Sequence, residues 1–354
     1  MDRIKNIKKN LKGNFDALLV SSLPNIIFLT GFDGFSSEER EAYLLITKRK
    51  NYILTDARYS EVVNKLSGFE LAEISSNRHF AQALKEIVLK EKINKLAIDE
   101  DNLKVSEVLK IKIAVKICPD ESLIEKMRAV KDENEIESIK KACNLGDKTF
   151  EYILTQIKSG ITEKTLAKKI EIFILKNNAA VSFRPIVAFS KNSSSPHHVA
   201  GNKKLEKNEI VLLDFGVKIE NYCSDMTRTV FFGKANNTQK KLYQTVLEAQ
   251  TKAIEYLKSS INASSVDKTA REHIESQGYP TIPHSLGHGI GLEVHEKPSL
   301  SPKSKDELSI GMVFSIEPGI YIPGFGGVRI EDLVFLGKNG PKIMTRANRE
   351  LIEL

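Results

Sequence analysis

Short apolar runs alternate with segments of helical periodicity in the first third of the chain. The runs have strand length and predict strands at 15–20, 43–47, 52–56 and 95–99. Apolar residues at steps of three and four predict helices at 58–66, 79–92 and 103–111. Because strands that alternate with helices indicate an α/β unit, we predict a first α/β domain over 1–122 with a mainly parallel or mixed sheet.

A different pattern follows, and it predicts a second domain over 123–354. Helical periodicity covers 122–158, where Asp132 and Glu135 form a capping pattern that would divide it into two helices. A helix over 159–178 has Thr162 as its expected N-cap. Glycine and β-branched runs then predict strands at 210–216, 226–233, 312–322 and 328–336, with helices at 238–260 and 264–277. We predict an α+β domain with antiparallel hairpins.

Composition narrows the classes of function without identifying one. The 354 residues are 41% hydrophobic and 28% charged, which is typical of a soluble globular protein. The net charge of +7 comes from lysines mixed with glutamates, so neither nucleic acid nor membrane is an expected partner. The polar start does not resemble a secretory signal, and three cysteines without a CxxC pair do not favour disulfides, so we expect a cytoplasmic protein.

Two acidic residues lie in the first predicted hairpin. Asp214 ends the apolar run IVLLD, and Asp225 follows eleven residues later, beyond a turn near Ile219–Glu220. Antiparallel pairing about that turn places the two carboxylates opposite each other, and a shift of two residues keeps them on one face. Two like charges at that spacing are unfavourable unless a cation lies between them.

The second predicted hairpin repeats this arrangement. Glu317 lies in FSIEPG and Glu331 in VRIEDL, on either side of a turn centred near Gly324. The segment HSLGHGIGLEVHE adds His288, whose glycine neighbours favour an extended conformation over a helix. Four carboxylates with one imidazole favour a bridged pair of divalent ions, with Mn²⁺ as our expectation and Co²⁺, Fe²⁺ or Zn²⁺ as alternatives.

Over nearly its whole length the chain resembles the pita-bread metallopeptidases, in the branch of aminopeptidase P and Xaa-Pro dipeptidase (prolidase). The resemblance is carried by FDALLVSSLPNIIFLTGFDGFS and ILTDARY, by EKMRAVKDENEIESIKKA, and by IVLLDFGVKIENYCSDMTRTVFFG, HSLGHGIGLEVHE and SIEPGIYIPGFGGVRIED. It implies an N-terminal domain of the creatinase/prolidase type and a pita-bread catalytic domain.

The resemblance also implies roles for individual residues. The metal ligands would be Asp214, Asp225, His288, Glu317 and Glu331. Glu317 would also shuttle a proton from a water that bridges two metal ions. The substrate would be held by His284, His295 and His197, although His198 leaves the choice between the two neighbours open. Arg329 would support the ligands from outside.

The activity implied by the resemblance is an Xaa-Pro aminopeptidase acting on small peptides with proline in the second position, and relatives suggest a homodimer. A strict Xaa-Pro dipeptidase is the alternative, and it requires a cation for the substrate carboxylate, for which Lys303 and Lys305 are candidates. A non-catalytic binding protein, or a metal-dependent lyase or other hydrolase on this fold, also stays open.

Overall fold

The computed structural model describes residues 2–99, 101–120, 122–258 and 260–354, and all predicted site residues lie within them. The chain divides into two compact units, Met1–Met127 and Arg128–Leu354. Each unit has a hydrophobic core of its own. None of the helices in the described residues is long and apolar enough to cross a membrane.

The first unit contains a six-stranded sheet within the described residues. Its strands are β1 (Ala17–Val20), β2 (Ala42–Thr47), β3 (Asn51–Thr55), β4 (Glu70–Glu73), β5 (Lys95–Ile98) and β6 (Lys116–Pro119), in the order β4-β3-β2-β1-β5-β6. Pairings of β1 with β2 and of β2 with β3 are antiparallel, and the other three are parallel. The predicted mixed α/β sheet is therefore confirmed.

The helices of this unit include some that the periodicity did not predict. The α-helices of the first unit are α1 (Asp2–Asn14), α2 (Leu23–Thr30), α3 (Ser60–Lys65), α4 (Phe80–Lys90) and α5 (Val105–Lys112). Neither α1 nor α2 was predicted, and neither were the edge strands β4 and β6. Each edge strand has four residues and is mostly exposed or half-buried, so it lacks the apolar run that identifies an inner strand.

The helical part of the second unit follows the capping signals. Asp132 accepts a hydrogen bond from the backbone N–H of Glu135, and Thr162 accepts one from Thr165, each at a helix start. The range 122–158 is thus two helices. The helices are α6 (Leu123–Ala129, which begins in the first unit), α7 (Glu133–Leu154), α8 (Glu163–Lys176), α9 (Asn237–Tyr256) and α10 (Ala263–Ser276).

The strands of the second unit form several small sheets. They are β7 (Ala180–Val181), β8 (Ile186–Phe189), β9 (Glu209–Phe215), β10 (Val217–Ile219), β11 (Tyr222–Cys223), β12 (Met226–Phe232), β13 (Ile261–Asn262), β14 (Gly287–Gly289), β15 (Glu296–Leu300), β16 (Glu307–Leu308), β17 (Val313–Ile316), β18 (Gly319–Ile322), β19 (Gly326–Arg329), β20 (Asp332–Gly337) and β21 (Gly340–Ile343). Two long hairpins among them carry the predicted acids.

In the first hairpin one register continues from the turn to the acids. The loop residues Glu220 and Asn221 both have positive φ, 50° and 69°, as a two-residue type I′ turn requires. Strands β10 and β11 leave this turn, and β9 and β12 keep the same register, with Asp214 opposite Thr227. Asp225 is therefore two residues away from the position opposite Asp214. The prediction that the two acids lie directly opposite each other is wrong, and the prediction that they share one face is confirmed.

In the second hairpin the predicted opposition is confirmed. Ile316 pairs with Asp332, and Gly319 pairs with Arg329, so the same register places Glu317 opposite Glu331. The connecting loop is residues 323–325, centred on Gly324. Strand β14 lies beside β17 and holds His288 in extended backbone, as predicted.

A buried ion pair links the two hairpins. The Arg228 guanidinium, 1% exposed, lies 2.6 Å from the Asp332 carboxylate, which is fully buried. Arg228 also donates to the backbone carbonyl oxygens of Thr227 and Glu331. One side chain of β12 thereby holds the backbone of Glu331 in the other hairpin.

Replacing Arg228 with methionine should lower the free energy of unfolding by about 3–5 kcal/mol, because it removes the buried cation nearest to Asp332 and leaves only Arg349, 3.9 Å away. Urea unfolding followed by circular dichroism measures this change. Lys268→Ala is the control, because Lys268 and Glu272 are 72% and 63% exposed and such pairs contribute about 0–1 kcal/mol. Equal stability of Arg228→Met and the natural protein would contradict the structure.

Candidate metal centre

Three predicted ligands lie within coordinating distance of one another. Asp225, His288 and Glu331 each offer one ligand atom, and these atoms all lie within 4.8 Å of one another. The Nε2 atom of His288 is 3.7 Å from an oxygen of Asp225 and 3.2 Å from an oxygen of Glu317. Two hairpins and β14 thus bring carboxylates and one imidazole into a single pocket.

Asp214 belongs to the same group. Its charge raises the pKa of both Asp225 and Glu331, and the charge of Glu317 raises the pKa of Asp214 in turn. Asp214 itself is 8% exposed. The structure therefore brings together all five residues that the sequence singled out as ligands.

The pocket contains acceptors without a hydrogen-bond donor in the described part of the chain. Among the described residues, no partner is found for three buried side-chain oxygens: Oδ1 of Asp214, Oδ1 of Asp225 and Oε1 of Glu331. Buried polar atoms are ordinarily paired, and a bound cation is one of the groups that satisfies them. An oxygen-rich set with one imidazole suits divalent ions of the Mn²⁺ to Zn²⁺ series. The residues present fit a metal site.

The carboxyl groups resist ionisation in the metal-free protein. Burial raises the pKa of Asp225 well above its ordinary value, and the charges of Glu331 and Asp214 raise it further. Burial and the charge of Glu317 have the same effect on the pKa of Glu331. Burial also raises the pKa of Asp214, although Arg329 opposes this. A cation would reverse all three tendencies.

Glu317 is the exception among these acids. Burial alone would raise its pKa, but the hydrogen bond and charge of His288 outweigh burial and lower the pKa to about 2. The same pairing raises the pKa of His288 against the effect of its burial. Ser315 contributes a further hydrogen bond, from its hydroxyl to Oε1 of Glu317 at 3.1 Å. Glu317 and His288, 3.2 Å apart, therefore each favour the charged form of the other.

Arg329 supports the ligands from behind. It is 3% exposed and donates to Asp214 at 2.5 Å, to Oγ1 of Thr227 at 3.0 Å and to the hydroxyl of Tyr321 at 2.8 Å. Thr227 in turn donates to Glu331 at 2.7 Å. The guanidinium therefore contacts one ligand directly and a second through a hydroxyl.

The predicted substrate histidines surround this centre. Nε2 of His284 lies 2.8 Å from the Tyr321 hydroxyl, and the ring of His295 meets the ring of His288 edge-on at 4.2 Å. Burial lowers the pKa of His284 and of His295 and so favours their neutral forms. Burial and the charge of His288 lower the pKa of His295, and His197 lowers it further.

Sequence reasoning missed three residues that hold the ligands in place. Thr227, Ser315 and Tyr321 donate to or accept from the ligands and Arg329. Strand alternation could have identified these three residues. Each lies two or four residues from a predicted ligand and hence on the same face of the strand as that ligand. A hydroxyl on that face of an otherwise apolar strand is a candidate partner for a buried acid.

Comparison with known proteins agrees with this geometry. Residues 137–338 match metallopeptidase family M24, and residues 3–130 match the creatinase/prolidase N-terminal domain. An Xaa-Pro dipeptidase of Pyrococcus horikoshii is 38% identical over 358 residues, covering 99% of each chain.

Solved structures extend the agreement to the fold. An Xaa-Pro dipeptidase from Bacillus anthracis has a TM-score of 0.94 and 34% identity, covering 100% of this chain and 99% of that one. An X-Pro aminopeptidase from Thermotoga maritima has a TM-score of 0.87 and 35% identity, covering 98% and 100% respectively. The predicted combination of a creatinase/prolidase N-terminal domain and a pita-bread catalytic domain is confirmed, and the chain belongs to metallopeptidase family M24.

Proposed function

We propose that this protein is a metal-dependent dipeptidase that hydrolyses Xaa-Pro dipeptides. The observation that carries the proposal is the gathering of Asp225, His288 and Glu331 around buried oxygens that lack donors. The substrate class is supported by relatives named Xaa-Pro dipeptidase, at 38% and 43% identity over 358 and 235 residues. These names favour the dipeptidase over the aminopeptidase that the sequence first suggested.

An Xaa-Pro aminopeptidase is the second candidate. The structure of the X-Pro aminopeptidase from Thermotoga maritima, at 35% identity over 98% of this chain, favours it. Lys303 and Lys305, the cations suggested for a dipeptide carboxylate, are both exposed in the loop between β15 and β16. Their exposure gives them no part in our proposal.

The proposed metal ligands are Asp214, Asp225, His288, Glu317 and Glu331. Two divalent ions, for which we propose Mn²⁺, would supply an acidified water and charge stabilisation at the scissile carbonyl. Glu317 would hold and transfer the proton at its carboxylate. The low pKa of Glu317 keeps its carboxylate ionised.

Neutral histidines would orient the substrate. Burial lowers the pKa of His295, so its neutral ring can donate one N–H to an oxygen of the substrate without adding charge. The two ring nitrogens of His284 lie 2.8 Å from the Ser285 carbonyl oxygen and the Tyr321 hydroxyl, so this ring would contact the substrate while held in place by those two groups. An Xaa-Pro bond has no amide N–H, so recognition of the bond itself has to use its carbonyl and the pyrrolidine ring. The homodimer and the cytoplasmic location stay predictions.

Hydrolysis rates should separate the two candidate activities. We expect protein loaded with Mn²⁺ to cleave alanyl-proline and to leave alanyl-prolyl-alanine intact, because a dipeptidase must bind the carboxylate that directly follows proline. Released alanine measures both reactions, and alanyl-alanine serves as the control for proline specificity.

Comparable cleavage of the tripeptide would favour the aminopeptidase. Absence of cleavage of either proline peptide would overturn both candidates. Glu317→Gln excludes a contaminating peptidase, because it should lower kcat by at least about a hundredfold.

Replacing Asp225 with asparagine should change the stability of the protein in opposite directions with and without metal. The amide relieves repulsion by Glu331 and Asp214, so the metal-free variant should be at least as stable as the natural protein. Mn²⁺ at about 100 times its Kd should stabilise the natural protein by about 2.7 kcal/mol and the variant hardly at all. Thermal unfolding and calorimetric titration with Mn²⁺ measure both effects.

Asp101→Asn is the matched control, since Asp101 is exposed in the first unit. It should retain the full response to Mn²⁺. A response of Asp225→Asn equal to that of the control would remove Asp225 from the ligand set.

Ionisation of Asp225 and Glu331 should destabilise the metal-free protein as the pH rises. The effect should begin above the ordinary pKa values of these two groups, 3.8 and 4.5. Both folded pKa values are raised, so between the ordinary and the raised values the folded state binds more protons and its stability falls with pH. Glu317 has the opposite sign: its contribution is present above 4.5 and is lost as the pH falls towards about 2.

Melting temperatures of chelator-treated protein between about pH 4 and pH 8 test this dependence. The melting temperature of Glu331→Gln should fall less steeply over that range than that of the natural protein. Parallel curves for the two proteins would show that Glu331 does not titrate as described.

A further inference from the structure

A single buried carboxylate binds much of the segment that carries His197. Glu163, in the first turn of α8, has a fully buried side chain. Its Oε1 accepts from the backbone N–H of Phe189 and the side chain of Asn192, both at 2.8 Å. Its Oε2 lies 2.9 Å from Nε2 of His198 and accepts from the backbone N–H of Gly201 at 3.0 Å. All four partners belong to residues 189–201.

The other side of this segment contacts the second metal-binding hairpin. The Ser193 hydroxyl accepts from the backbone N–H of Gly327 in β19 at 2.8 Å. A Cβ atom at Gly327 would overlap the carbonyl oxygen of Ser193, so the two backbones are in close contact. Gly327 is two residues from Arg329 on the same strand. The segment is therefore held between Glu163 and the strand that supports the ligands.

The two adjacent histidines of this segment have different surroundings. His198 is 20% exposed and uses Nε2 for the bond to Glu163. His197 is exposed, and it is among the groups that lower the pKa of His295, whose ring contacts the predicted ligand His288. With His198 directed to the buried acid, His197 is the one of the pair that is available to a substrate at the metal centre.

We propose that Glu163, acting through His198, is a positioning residue that orients His197 towards the metal centre. This inference rests on the proposed function, because it assigns His197 to substrate binding in that reaction. A carboxylate that accepts four hydrogen bonds forms stronger bonds than a neutral acceptor does. A misplacement of about 1 Å at a substrate-binding group can cost about a hundredfold in rate.

Glutamine at position 163 tests the carboxylate with little change in volume. Its amide keeps one acceptor oxygen and turns NH₂ towards two of the four donors, so two bonds are lost. His198→Ala removes one donor only, and His198→Gln retains an N–H donor for Glu163. These variants separate the hydrogen bonds from the bulk of the side chains.

Kinetics with the Mn²⁺-loaded enzyme and alanyl-proline provide the first readout. Glu163→Gln and His198→Ala should each lower kcat/KM by about tenfold to a hundredfold, and His198→Gln should recover most of that loss. In a His197→Ala background neither change should lower kcat/KM further, because both act through His197. Mn²⁺ affinity measured by calorimetry should stay unchanged.

A second readout does not depend on activity. Bound Mn²⁺ is paramagnetic and broadens the NMR signals of nearby nuclei. Because the chain has seven histidines, the signals of isotope-labelled imidazole rings can be assigned by substituting each histidine in turn. The His197 signal should be broadened in the natural protein and less broadened in Glu163→Gln and His198→Ala.

Three results would overturn the inference: full activity of both variants, an equal further loss in the His197→Ala background, or unchanged broadening of His197. If Glu163→Gln does not fold, His198→Ala carries the test. If the natural enzyme cleaves no Xaa-Pro peptide, the proposed function fails, while the broadening of the His197 signal still decides the positioning.

Discussion

Burial of several carboxyl groups in one place, together with their mutual repulsion, is the constraint on which the candidate metal centre depends. Asp214, Asp225 and Glu331 all have raised pKa values, which means that the fold holds them at a cost in free energy when they are ionised. Arg329 donates to Asp214 and reduces this cost there, and the interaction of Asp214 with His288 acts in the same direction. A divalent ion would complete the compensation that these side chains begin.

Paired strands hold the acids in place despite this unfavourable free energy. Each acid lies in or directly beside a hairpin strand whose register continues to a short turn, so the spacing between carboxylates is set by backbone hydrogen bonds. Arg228 ties the two hairpins together, because it lies on β12 and binds both Asp332 and the backbone of Glu331. Backbone hydrogen bonds and this ion pair therefore set the positions of the predicted ligands.

Much of this arrangement could be predicted from strand alternation. Period two alone places Asp214 with Asp225 and Glu317 with Glu331 on shared faces, and glycines around His288 exclude a helix. Alternation does not determine register, and the type I′ turn at Glu220 and Asn221 sets the offset of two residues that the sequence left open. Long-range contacts such as Glu163 with His198, 35 residues apart, have no local signal at all.

The hairpin turns have a further consequence for how this chain tolerates changes in length. Side chains alternate between the two faces of a strand. Inserting one residue between a turn and its acid, without a compensating bulge, would therefore turn that acid out of the pocket. Inserting one residue pair on each strand at the tip would instead lengthen the hairpin and leave the pocket intact. Descendants of this sequence can thus grow or shrink their two hairpins by whole pairs, and the tips are where natural variation in length is compatible with catalysis.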